Sequence, residues 1–274
     1  MPLYFKLVAR VPPVTVLAHR VVWSFLLLGA LVTGLSRWEE LRAILRQRRT
    51  LALLAASTLL LAGNWGTFIY AVETNQVLQA SLGYFIVPLA TAALGLFVLK
   101  EHLRPWQGVA LLLAAAGVIV LTYVVGHLPW IALIIAASWS GYSLVRKVAV
   151  VGPLVGVTIE TALLLPLAAI YLLGTIRSAP LTRHDYAMLA LSGPVTAIPL
   201  LFFTAAARRL RLATIGFLQY VTPTGHFLLA VLAFDEKFHA THAFGFALIW
   251  SALIVYSLDS VRAFQQPPVV AVEV

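Results

Sequence analysis

Long apolar runs separated by short polar stretches set the layout of this chain. Runs of bilayer length fall at 14–36, 51–72, 81–99, 106–125, 128–145, 154–174, 186–207, 212–233 and 241–259. A hydrocarbon core is crossed by about 20 apolar residues in a helix, so the pattern predicts nine full spans. A shorter fragment at 2–9 precedes them and cannot cross alone. The runs are continuous and rich in Leu and Ala, without the alternation and polar lumen face of a membrane β-barrel. Most linkers are under twelve residues, which leaves no room for a soluble domain.

One pattern occurs twice. ASLGYFIVPLATAALGLFVLKEHLRP at 80–105 returns as ATIGFLQYVTPTGHFLLAVLAFDEKF at 213–238. Ala80 and Gly83 are each 133 residues from Ala213 and Gly216, whereas Pro88 and Glu101 are each 135 from Pro223 and Glu236. A period near half the chain length indicates duplication of a large unit. The two proline spans are the third and the eighth, so they run in opposite senses. Inverted repeats are a recurrent construction of secondary transporters, whose two halves rock about a site between them.

Composition agrees with a membrane solvent. The chain of 274 residues is 61% hydrophobic and 11% charged, against about 25% charged in soluble domains. The absence of cysteine excludes disulfides, thiol catalysis and Cys-ligated metals. A formal charge of +9 raises the question of nucleic acid, but the cations sit in loops, where topology accounts for them. One set of alternate loops holds thirteen Lys and Arg and the opposite set four, which places the Arg-rich side and the C-terminus in the cytoplasm. The expected units are a first inverted repeat over 1–126, a second over 127–260, and a cytoplasmic tail over 261–274. By symmetry with the five spans of the second half, the first lacks roughly ten to fifteen residues of its first helix.

Charged groups inside a bilayer are costly and are therefore candidate sites. Lys6 and Arg20 qualify, and Arg20 lies roughly 9 Å into its span at the helical rise. With His19 beside it, Arg20 forms a cationic patch for an anionic solute, or else snorkels to the interface. Glu160 is the acidic residue well inside an apolar run. It is a candidate for proton coupling, with a structural partnership to Arg20 or to a polar group of a neighbouring helix as the alternative. Asn64 and Trp65 in GNWG, together with Tyr84, Gln219 and Tyr220, are candidates to line a solute cavity; ordinary helix packing is the competing reading. Pro88 and Pro223 kink their helices as hinges or as static bends. Glu101 and Glu236 read as loop ion pairs or gate contacts, and His226 as a packing residue. A P-loop, a metal-ligand spacing and a convergent nucleophile set are missing from the sequence, which argues against ATP-driven transport, a metal site and an enzyme. No catalytic residue or cofactor is assigned.

Several of these stretches carry a family resemblance. PLYFK at 2–6, LAHRVVWSF at 17–25, GNWGTFIYAV at 63–72, LQASLGYFIVPL at 78–89, YSLVRK at 142–147, IETALLLPLAAIYL at 159–172, FTAAARRLRLATIGFLQYVTPT at 203–224 and FGFALIWSALIVYSLD at 244–259 resemble the RarD permease group. That group belongs to the EamA-type members of the drug/metabolite transporter superfamily. The resemblance implies an all-α membrane protein with the ten-helix fold of two inverted five-helix repeats. It also implies a permease for a small metabolite or drug-like solute, and the group is associated by name with chloramphenicol sensitivity. The expected function is a secondary transporter working by alternating access, an exporter exchanging solute for protons. The alternative is a truncated or accessory membrane protein without transport of its own.

Overall fold

The computed structural model describes residues 4, 7–8, 10–123, 129–175, 181–225 and 240–265. Lys6, His226, Glu236 and Lys237 lie outside them. The helices are α1 (Pro13–Gly34), α2 (Trp38–Leu45), α3 (Arg48–Glu73), α4 (Val77–Phe97), α5 (Pro105–Tyr123), α6 (Trp130–Val148), α7 (Pro153–Thr175), α8 (Arg183–Arg209), α9 (Leu212–Gln219) and α10 (Ala240–Gln265). Eight of the nine predicted spans meet a helix with boundaries moved by a few residues, and the eighth, 212–233, is described only to residue 225. Among the described residues there is no strand. Among the described residues seven helices are long and apolar enough to cross a membrane: α1, α3, α4, α5, α7, α8 and α10. α6 is more polar, and its Ser138, Ser140, Ser143 and Arg146 are buried against neighbours rather than offered to lipid. The three serines bond back to carbonyls of their own helix, which satisfies them without water.

Local chemistry explains the helix ends. Pro13, Pro105 and Pro153 each open a helix, at a position whose N–H would have no helical partner. α8 begins with a capping box: the Thr182 hydroxyl accepts from the Asp185 N–H, and the Asp185 carboxylate accepts from the Thr182 N–H. Ser36 and Asn75 take positive φ just beyond α1 and α3, closing those helices as left-handed C-terminal residues do.

Two features depart from the predicted pattern. The polar stretch after α1 contains α2, whose Leu41 and Ile44 pack on Leu54, Val151, Val155 and Ile159. The eighth span is interrupted: α9 ends at Gln219, Tyr220 is a turn, and the chain is helical again over 221–225. Pro223 has no N–H for the Gln219 carbonyl four residues earlier, so the ladder breaks there. Pro88, by contrast, lies within an unbroken α4.

Packing interleaves the two sequence halves. α1 packs on α7 and α8, α3 on α6, α4 on α6 and α9, and α5 on α10. The arrangement repeats itself: α1 on α8 corresponds to α7 on α3, with both α1 and α7 opening on a proline. The repeat glycines provide close contacts. A Cβ on Gly216 would stand 2.5 Å from the Pro88 carbonyl oxygen, so the α4–α9 crossing requires the smallest residue there. Large apolar side chains such as Leu59, Leu112, Ile170 and Phe202 project outward, as lipid-facing residues do when the solvent is hydrocarbon.

Candidate functional site

The first charged position inside the bundle is Arg20, on the second turn of α1. Its Nε donates to Thr196 Oγ1 of α8 at 2.9 Å, and its guanidinium lies 4.9 Å from the centre of the Trp65 ring of α3. Tyr84 of α4 and Tyr4 are near enough to interact electrostatically with it. Tyr4 also donates to the Met188 carbonyl at 3.2 Å, and Tyr84 meets Phe68 edge-on at 6.2 Å. Three of the residues singled out from the sequence therefore converge: Arg20, Trp65 and Tyr84. Arg20 is partly buried, with its guanidinium over an aromatic face. His19 follows the next direction around α1 and meets Tyr186 edge-on at 6.2 Å.

The other predicted lining residues are engaged elsewhere. Asn64 is buried and donates to the Ile135 carbonyl and to Ser138 Oγ, both at 3.1 Å, so its amide ties α3 to α6. Gln219 Oε1 accepts from Thr91 Oγ1 at 3.3 Å. Gln219 Nε2 and the Tyr220 hydroxyl are buried with no hydrogen-bond partner among the described residues. Tyr220 packs with Leu82, Phe217 and Ile249 in the cluster between α4, α5 and α10.

Glu160 defines the second charged position. Its partner is Arg146 near the end of α6, not Arg20: Arg146 Nε stands 3.6 Å from Glu160 Oε1, and both side chains have 0% exposure. Ser57 Oγ of α3 donates to Glu160 Oε1 at 2.5 Å, and the Tyr142 hydroxyl donates to Oε2 at 3.2 Å. The arginine reaches this point by lying flat on α7 at Gly156, where a Cβ would stand 2.4 Å from one guanidinium nitrogen. Counting Arg146 among loop cations hid this pair. The available signal was Tyr142 and Arg146 one helical turn apart, on one face of α6.

A third set of polar contacts joins elements at the Arg-rich end. The Glu101 carboxylate accepts from the Leu212 N–H at 2.8 Å and the Ala213 N–H at 3.0 Å, and so caps α9 from outside its own helix. Lys147 lies 3.9 Å from Glu101 and donates to the Leu210 carbonyl at 2.5 Å. Arg211 donates to the His102 carbonyl, and Arg104 pairs with Asp259 at 2.6 Å. Glu101 is thus a helix cap as well as a neighbour of lysine. Two adjoining cavities open at this end, about 500 Å³ beside α2 and about 280 Å³ beside the end of α8.

An all-α multi-pass bundle in which inverted repeats interleave around buried charges is the fold of the ten-helix drug/metabolite transporters. Residues 1–123 match the EamA-like transporter family. An uncharacterized transporter of Pseudomonas aeruginosa is 43% identical, over 97% of this chain and 91% of that one. Protein RarD of Salmonella typhimurium is 44% identical, over 95% of this chain and 90% of its own length. A solved crystal structure at 24% identity superposes with a TM-score of 0.71, covering 95% of this chain and 93% of that one, which establishes likeness of fold. The chain belongs to the EamA-like transporter family, in its RarD group, and is a membrane transporter.

Proposed function

We propose that the protein is a secondary exporter of small amphipathic solutes bearing an anionic group, working by alternating access between its inverted halves. The observation that carries this reading is Arg20, a partly buried cation within a membrane helix, oriented by Thr196 and backed by the Trp65 face. A carboxylate can accept hydrogen bonds from a guanidinium so placed while its apolar body lies on the indole. Sequence asymmetry supports placing Arg20 in the outer half of the membrane and Glu160 in the cytoplasmic half. The Arg146–Glu160 pair and the Glu101 cap then hold the cytoplasmic end together, and inward opening requires them to part. Protonation of Glu160 would remove the charge that holds Arg146, which gives proton uptake a way to loosen α6 from α7. Pro88, within α4, and Pro223, in the helical stretch just beyond α9, are the proposed hinges.

Reconstitution tests the reading directly. Liposomes containing the purified chain should move members of a panel of radiolabelled aromatic carboxylates, faster under an imposed pH gradient. Arg20→Gln should remove most of that flux, and Glu160→Gln should remove its response to pH. Flux indifferent to the gradient would eliminate proton coupling, and an unaltered Arg20→Gln rate would eliminate the assigned site.

A further inference from the structure

We infer that the Arg-rich end carries a binding site for one anionic phospholipid, in the groove between α2, the α6–α7 turn and the end of α8. The larger cavity there, about 500 Å³, joins two kinds of wall. Arg37, Glu40 and Arg208 form the polar one, and Leu35, Val150 and Leu154 the apolar one. The smaller cavity shares Pro153 and Arg208 with it and adds Arg209, so the two are parts of one groove.

The charges in this groove are unequally satisfied. Glu40 is occupied: one oxygen pairs with Arg37 at 3.1 Å, and the other lies against Gly152, where a Cβ would stand 2.6 Å away. Arg208 and Arg209 are exposed, and no carboxylate lies within ion-pair distance of either among the described residues. The groove therefore presents a surplus of positive charge. Leu35 and Val150 beside it are 61% and 78% exposed, an apolar wall that a free phosphate ion would leave uncovered. A lipid covers both surfaces, with its phosphate on the arginines and its glycerol and upper acyl chain on Leu35 and Val150. The groove sits where α1 and α8 end and α7 begins, and the ends of three helices of membrane length are where a headgroup layer would lie. It rests on the orientation proposed above, which turns this end toward the leaflet where anionic lipids attract basic segments.

The test titrates the full-length protein, purified in a zwitterionic detergent, with phosphatidylglycerol, phosphatidylcholine or inorganic phosphate. Thermal unfolding and lipid adducts in native mass spectrometry are the readouts. Phosphatidylglycerol should bind and raise the melting temperature, and the other two should not. Arg208→Gln/Arg209→Gln should weaken phosphatidylglycerol binding about thirtyfold, from two cations of ordinary strength at an anionic surface. The matching Lys pair should keep most of the binding, which separates loss of charge from loss of fold. Arg46→Gln/Arg49→Gln removes the same charge from the same end outside the groove and should leave binding unchanged. Equal loss in that control, equal binding of phosphatidylcholine, or full competition by phosphate would each overturn the assignment. No solute enters these measurements, so their failure is independent of the transport reading.

Discussion

Arg20 and Glu160 occupy corresponding places in two inverted helices and are used in opposite ways. Each stands seven residues beyond the proline that opens its helix, Pro13 in α1 and Pro153 in α7. Each is held by a hydroxyl from the helix that its own packs upon: Thr196 of α8 for Arg20, and Ser57 of α3 for Glu160. Glu160 meets an opposite charge and is sealed, whereas Arg20 meets an indole face and stays partly exposed. The same helical position recurs in α1 and α7, and the neighbouring side chains give one an opposite charge and the other an indole face.

The sealed position should be the more fragile. Arg146→Ala strands a buried carboxylate and should cost about 3–5 kcal/mol, the usual result of removing one partner of a buried pair. Thermal unfolding in detergent checks this. Arg146→Leu/Glu160→Leu should recover much of the loss, because no charge is then left unpaired. If both variants melt alike, the pair is not a unit. The glycines at the two positions sharpen the contrast. Gly193→Ala sets a Cβ 2.7 Å from the Trp23 backbone beside Arg20, while Gly156→Ala meets only the tip of Arg146. Overpacking costs about 1–3 kcal/mol, and Gly193→Ala should fall at the upper end because backbone cannot swing aside. A larger effect at Gly156 would mean that Arg146 is more rigidly fixed than its side chain alone allows.

Smaller effects are expected at the open position. Arg20→Lys keeps the charge but loses the planar stack on Trp65, and should weaken solute binding by about 1 kcal/mol. Ligand-induced quenching of tryptophan fluorescence would report it, against a Trp65→Phe control. Glu101→Ala removes the α9 cap and should cost about 1 kcal/mol of stability, read by thermal unfolding in detergent.

Much of the fold was legible because its signals are local. Most apolar runs of bilayer length appear as helices. The convergence of Arg20, Trp65 and Tyr84 followed from treating polar groups in apolar runs as costly. Asn64 belonged to the same logic, yet its amide is used between α3 and α6, since any buried amide needs partners and any neighbouring helix can supply them. The amphipathic α2 was not visible, because a charged loop and a short surface helix have nearly the same composition.

By itself the sequence determined the solvent, the order of most of the apolar helices, and two of the positions, Arg20 and Glu160, at which a charge stands inside an apolar run. These depend on transfer free energies summed along contiguous residues, and no partner has to be known to sum them. Only the tertiary structure decided which charge meets which. Arg146 pairs with Glu160 because α6 extends to Val148, the turn folds back, and Gly156 leaves room for a guanidinium. Glu101 caps α9 because α4 and α9 cross closely, over a glycine that touches a proline carbonyl. Such contacts depend on distances of a few ångströms between segments more than a hundred residues apart, which local patterns do not encode.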